Sequence, residues 1–304
     1  MPVVEDTSEF RYLPGQAAAF GTSTPEASRV SLSLADGRTL SALRYGTGEP
    51  EVTFVHGAGL NAHTWDAVVL LLGRPAVVLD LAGHGDSSWR DDADYSPSTL
   101  AHDVAAGLQA WAARPQVLVG HSLGGLVAAS VAARHPALVR ELVLVDVVPG
   151  LDTDAAPSIL REFYSGATDF ASREDAVERA QAFGFGGSRA DTERGVFFNT
   201  RVRDDGRVEW KHHFAHIIGH AFDALQSANS DATHDPWADL TAVSAPVTLI
   251  RGEKGFLQAS DVASFERRMP DAAVLTVAAG HNVQETAPAS IASLVTEALV
   301  RSAR

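Results

Sequence analysis

Glycines bracket a serine in the stretch Gly120-His121-Ser122-Leu123-Gly124. The β-prone residues 116–119 run into it, and a helix-like run of small and apolar residues follows. A serine at the point where a strand turns sharply into a helix is held in a strained conformation with its hydroxyl exposed. Neighbours two positions away must then lack bulk, hence the glycines. The start of the following helix favours negative charge developing nearby. The alternative is a helix-capping serine in a glycine-rich turn. A preceding strand and a following helix favour the nucleophile, and Ser122 is assigned that role.

A nucleophilic hydroxyl needs a base. Of the 12 histidines, His281 in the stretch AAGHNVQETAP lies between the last predicted strand and the last predicted helix. It follows the serine, as the chain order Ser, acid, His requires. His56 and His84 lie in glycine-rich loops, and His121 flanks the serine. The tetrahedral oxyanion needs two N–H donors. Leu123, next after the serine, supplies one, and Ala58 in HGAGLNAHTW supplies the other from an earlier loop of small residues.

These residues need a scaffold. Residues 29–46 alternate around Asp36-Gly37 and read as a hairpin. Further strands are expected at 51–57, 75–85, 116–120, 141–148, 246–253 and 273–282, as apolar runs suited to burial on both faces. Helices are expected at 63–72, 97–113 with Ser96 as N-cap, 123–134, 259–268 and 285–301. This alternation predicts an α/β fold: a doubly wound, mainly parallel eight-stranded sheet with helices on both faces. It breaks at residue 150. Residues 151–237 read as a helical, aromatic insertion, and residues 1–28 as a lead-in wrapping the surface. The core is therefore 1–150 with 238–304.

Composition narrows the partners. The 304-residue chain carries 24 basic and 38 acidic side chains, a net charge of −14. Such a chain repels nucleic-acid phosphates and anionic membrane surfaces. Without cysteine there is no disulfide, thiolate metal site or cysteine nucleophile. No stretch approaches the ~18 apolar residues of a membrane span, and no signal-peptide pattern opens the chain. A soluble, cytoplasmic protein is expected, needing no cofactor.

The stretches HGAG with Trp65, DLAGHGDS (80–87), GHSLGG and AGHNVQETAP, in this order, resemble the α/β-hydrolase fold superfamily over essentially the full chain. In that family the segment between the strands at 141 and 246 is a helical cap over the active site, so the resemblance implies that role for 151–237. The family's usual triad acid follows the penultimate strand. Here that turn reads Gly252-Glu253-Lys254-Gly255, with glycine at the acid's place. Asp146, ending the preceding strand, is the preferred acid, a location some family members use. Glu253 and Asp261 are the competitors. Asp80 precedes the serine and is expected to tie down its own loop.

Within the insertion, His212, His216 and His220 fall at i, i+4 and i+8, one face of a helix if the segment is helical. No acid at matching spacing completes a metal site, and none is assigned. Substrate contacts are expected from His121 and from Trp210, His212, His213 and Phe214. Phe163, Tyr164, Phe183, Phe185, Phe197 and Phe198 suit an apolar pocket or ordinary packing. Arg161, Arg201, Arg203 and Arg207 suit a substrate carboxylate or a solvated surface. The resulting expectation is a cofactor-free serine hydrolase of small carboxylic esters, working through an acyl-enzyme. Alternatives on the same triad are a C–C bond hydrolase and a lactonase. Those of another class are a cofactor-free perhydrolase or dioxygenase, and a ligand-binding receptor with negligible turnover. Serine rather than aspartate at the nucleophile position argues against haloalkane dehalogenases and epoxide hydrolases, which share the resemblance.

Overall fold

The strand runs that read as apolar throughout do so because both faces of the sheet are covered. The computed structural model describes residues 8–150, 162–163, 166–184, 187–217, 235 and 237–301. The main sheet contains β1 (Ala27–Ser33), β2 (Thr39–Tyr45), β3 (Val52–Val55), β4 (Ala76–Asp80), β5 (Gln116–His121) and β6 (Val139–Val145). After the insertion come β10 (Val247–Lys254) and β11 (Ala273–Gly280). The spatial order is β1-β2-β4-β3-β5-β6-β10-β11. The β1–β2 and β2–β4 pairs are antiparallel, and the rest are parallel. This is the eight-stranded α/β sheet expected from the sequence.

Alternate strand residues enter opposite cores, the period-2 rule of strands. Leu79, Leu118, Leu142 and Leu144 join one apolar cluster, with α3 (Pro97–Trp111) and α4 (Leu123–Arg134). Val78, Val119, Val143 and Val145 join the other, with α1 (Leu13–Phe20), α2 (Asp66–Leu72) and α10 (Pro288–Arg301). Leu13 and Ala17 are buried there, so α1 belongs to the core rather than merely wrapping the surface.

Several boundaries differ from the sequence reading. The helix expected from residue 63 begins as a 3₁₀ turn, Ala62–Trp65, in which the Asn61 side chain accepts from the His63 N–H. Ser96 occupies the N-cap position of α3, but its hydroxyl donates to Thr99 Oγ1 instead of capping. The final helix is two: α9 (Val283–Thr286) and α10, separated at Ala287. Pro288 carries no N–H to continue the first helix but suits the start of the second.

The insertion is not wholly helical. Its described part holds α5 (Arg173–Ala182) and α6 (Arg189–Asn199), with an antiparallel sheet of β7 (Asp169–Phe170), β8 (Thr200–Val202) and β9 (Val208–Trp210). Phe163, Phe170, Val208 and Trp210 form its own small core. α7 (Ala238–Thr241) leads back to β10, and α8 (Ala259–Arg268) joins β10 to β11.

A buried polar network fastens the N-terminal segment, the sheet and the insertion together. His63 Nδ1 lies 3.0 Å from Asp66 Oδ2, Tyr45 donates to Asp66 Oδ1 at 2.5 Å, and Glu9 Oε2 sits 3.6 Å from His63 Nε2. Phe198 of the insertion stacks on the His63 ring at 3.8 Å. Burial alone would lower the His63 pKa, but Asp66 and then Glu9 raise it from 6.5 to about 9. The imidazolium thus contributes stability that is fully present below about pH 6.5 and is lost as pH rises through about 9. Thermal unfolding followed across that window should show Tm falling with pH by roughly 5 °C, and His63→Gln should flatten the dependence. An equal slope in the variant would show that His63 is not its source.

Candidate active site

The strand-to-helix turn is where local chemistry and backbone strain coincide. Ser122 sits between β5 and α4 with φ 51° and ψ −124°, outside the conformations an L-residue prefers. Its N–H donates to Val145 O at 3.1 Å, and its carbonyl accepts from Gly125 N at 2.8 Å. The flanking glycines are required by close approach. A Cβ at Gly120 would lie 2.3 Å from Gly124 O, and one at Gly124 would lie 2.4 Å from His56 O.

Asp146 follows β6 and is wholly buried. A carboxylate without water needs partners. It has three: Gly252 N–H donates to Oδ1 at 2.9 Å, Phe256 N–H to Oδ2 at 2.8 Å, and His281 Nδ1 to Oδ2 at 2.7 Å. Its φ of 50° is again left-handed. An ionised carboxylate only accepts, so the His281 proton sits on Nδ1 and Nε2 is left as a basic nitrogen. The Phe256 ring stacks on His281 at 3.7 Å and 9°.

The glycine at the usual acid position now has a physical reason. A Cβ on Gly255 would fall 2.2 Å from Asp146 Oδ1, in the space the carboxylate fills. Of the two competitors, Glu253 is exposed. Asp261 accepts from Gln258 N at 2.8 Å, capping α8. Neither is brought to His281.

The two proposed oxyanion donors have N–H groups with no acceptor among the described residues. The loop carrying Ala58 is clamped by two histidines. His84 Nε2 accepts from Gly59 N at 3.0 Å, and His56 Nε2 accepts from Leu81 N at 3.0 Å. Their Nδ1 atoms donate to Ala82 O and Gly57 O. Burial lowers both imidazole pKa values, so both stay neutral and act as fixed braces. Asp80 ties its own loop as expected, accepting from Asp86 N, and also holds Ala62 N and Arg29.

His121 is buried beneath the turn and donates from Nε2 to the His281 carbonyl at 3.1 Å. A carbonyl only accepts, so its Nδ1 is unprotonated. Burial, and then the neighbouring His281, push its pKa well below the usual range. Phe256, Gly255, His56 and His84 were not singled out for these supporting roles from the sequence. The glycine at the empty acid position was the one available signal.

The expected substrate contacts in the insertion are largely occupied within the protein. Trp210 packs with Phe163 and Phe170. His212 precedes the helical turn at 214–217 and accepts from Ala215 N at 3.3 Å, so the expected single helix face breaks there. Burial, then His216, lower the His212 pKa to about 3. His213 stacks on Trp89, meets Tyr95 OH at 2.7 Å, and donates its N–H to Gly83 O. Phe214 enters the main core, edge-on to His84. Arg201 pairs with Glu209, Arg203 with Asp169 and Asp205, and Arg207 with Asp169. Arg161, Tyr164, Phe185 and His220 lie outside the described residues.

A serine on a strained strand-to-helix turn, with a histidine–carboxylate pair beyond the later strands, defines the hydrolase class of this sheet. Residues 54–294 match the alpha/beta hydrolase family, and the chain belongs to it. It is 36% identical over 297 residues to esterase Rv0045c of Mycobacterium tuberculosis, with 94% of each chain covered. A solved structure of that esterase superposes with a TM-score of 0.81, covering 97% of this chain and 99% of the other at 35% identity. It is also 28% identical to 2-(acetamidomethylene)succinate hydrolase of Mesorhizobium japonicum, covering 82% of this chain and 87% of that one.

Gly255→Ala tests the packing around the carboxylate. The added methyl must displace Asp146, and the variant should lose roughly 1–3 kcal/mol of stability together with most of its ester turnover. Denaturant melts and steady-state kinetics check this. Wild-type values in both would mean the carboxylate does not occupy that space.

Proposed function

We propose that this chain cleaves carboxylic esters of small molecules through a covalent acyl-enzyme, with Ser122 as nucleophile, His281 as general base and Asp146 as its partner. The 2.7 Å contact between His281 Nδ1 and the buried Asp146 carboxylate carries the reading. The M. tuberculosis relative is an esterase, which supports the substrate class.

In this reading Ser122 Oγ attacks the ester carbonyl carbon, and its proton passes to His281 Nε2. The carbonyl π pair becomes the oxyanion, held by the N–H groups of Ala58 and Leu123. Collapse breaks the C–O bond, and the leaving alkoxide takes the proton from His281. Water then attacks the acyl carbon and gives a proton to His281. The second collapse releases the carboxylic acid and returns that proton to Ser122 Oγ. Asp146 stays ionised throughout, fixing the tautomer and stabilising the imidazolium.

Residues 151–237 serve as the cap. Three contacts that dock this segment support the role: Asn61 to Asn199 at 2.8 Å, Trp89 Nε1 to Lys211 O at 2.7 Å, and His213 N to Gly83 O. The chemistry draws on side chains and backbone alone, so no cofactor is invoked. The setting proposed is cytoplasmic, and the net charge of −14 argues against nucleic acid and anionic membrane surfaces as partners. Among the described residues, no helix is long and apolar enough to cross a membrane.

A fluorophosphonate probe should add one adduct to the wild type, read by intact mass, and none to Ser122→Ala. Turnover of p-nitrophenyl butyrate should fall by at least about 10⁴-fold in Ser122→Ala and on the order of 10⁴-fold in Asp146→Asn. Glu253→Gln, an exposed change, should stay within about twofold. Retained turnover in Asp146→Asn with loss in Glu253→Gln would reverse the assignment of the acid.

A further inference from the structure

A cavity of about 430 Å³ opens between the N-terminal segment, the β1–β2 hairpin, the loop after Ala58 and the insertion. Neither Ser122, Leu123 nor His281 lines it. Its wall includes Asp80 at the end of β4, a strand two positions from β5 in the sheet, which is roughly 10 Å across the ladder. Six of its lining side chains are basic: Arg11, Arg29, His63, Arg173, Arg201 and Lys211. Only three are acidic. In a chain of net charge −14 this is a local reversal of sign.

The three acids are already committed. Asp80 lies 2.7 Å, Glu9 2.8 Å and Asp86 3.2 Å from the Arg29 guanidinium. Asp86 also meets Lys211 at 2.9 Å. Arg173 has no carboxylate within ion-pair distance among the described residues. It donates to Thr200 Oγ1 at 3.3 Å and lies over the Phe197 ring at 5.0 Å. Arg11 lies over the same ring at 4.4 Å. His63 Nε2 is buried without a hydrogen-bond partner, its nearest acid oxygen being Glu9 at 3.6 Å. The cavity thus combines the Arg173 guanidinium and the His63 Nε2 edge with aromatic walls from Phe197 and Phe198. Guanidinium forks match planar or tetrahedral oxyanions, and rings accept an apolar body.

We propose that this cavity is a second ligand site, separate from the serine, that binds a small organic anion: a carboxylate or phosphoryl group against Arg173 and His63, with its apolar part on Phe197 and Phe198. The volume falls within the range of small-molecule pockets. The acids on Arg29 keep that guanidinium from competing for the ligand, so Arg173 is the selective contact.

Calorimetric titration with phenyl phosphate and with phenylacetate, each at fixed ionic strength, tests this. Comparing the two probes separates a phosphoryl from a carboxylate ligand. The wild type should bind at least one probe saturably at one site. Arg173→Gln should weaken binding by about tenfold or more, as loss of a charge-assisted contact does. Arg189→Gln, which changes an exposed arginine paired with Glu174 and Glu193 outside the cavity, should leave it unchanged, and Arg173→Lys should retain part of the affinity. Binding should survive a fluorophosphonate adduct on Ser122. The unlabelled titration needs no reactive serine, so it stands apart from the outcome for ester cleavage. Loss of binding on blocking Ser122, undiminished binding in Arg173→Gln, or no saturable binding of either probe by folded protein would overturn the proposal.

Discussion

The buried Asp146 carboxylate is the constraint around which the carboxyl ends of β6, β10 and β11 are arranged. A charge with no exposure must be met by donors, and here they come from three places in the chain: the end of β10, the turn beyond it, and the loop after β11. Satisfying one carboxylate therefore fixes the spacing of β6, β10 and the His281 loop together. The left-handed backbone at Asp146 and at Ser122 is the strain accepted for that arrangement. The surrounding hydrogen bonds hold both residues there.

Neutral histidines extend the same logic outward. His56 and His84 brace the loop that carries Ala58, and His121 holds the His281 carbonyl. Each is kept uncharged by burial, so none competes with His281 for a proton. His63 is the opposite case, an imidazole raised by acids and placed at the joint between the N-terminal segment, the sheet and the insertion. Two environments have thus divided one residue type into braces and a cationic fastener.

The core strands were legible because burial on both faces leaves an uninterrupted apolar run, as in AVVLD of β4. The turn at Ser122 was legible because sterics demand glycine two residues to either side. The carboxylate beside His281 could be chosen only by combining the end of a buried strand with a glycine where an acid would usually stand. Strands of two or three residues, such as β7 and β9, carry too little alternation to register, so Trp210 and His212 read as helical. The His63 network and the basic cavity join residues far apart in the chain, such as Glu9 with His63 and Arg11 with Phe197, and no local pattern announces such pairs. The break at Ala287 was carried by Pro288, a signal the reading of one continuous helix passed over.

The most direct test of the account is the proton between His281 and Asp146. A proton NMR spectrum of the resting enzyme should show a strongly downfield imidazole N–H resonance, lost in His281→Ala and in Asp146→Asn but retained in Glu253→Gln. A resonance that persists in Asp146→Asn and disappears in Glu253→Gln would contradict the central claim.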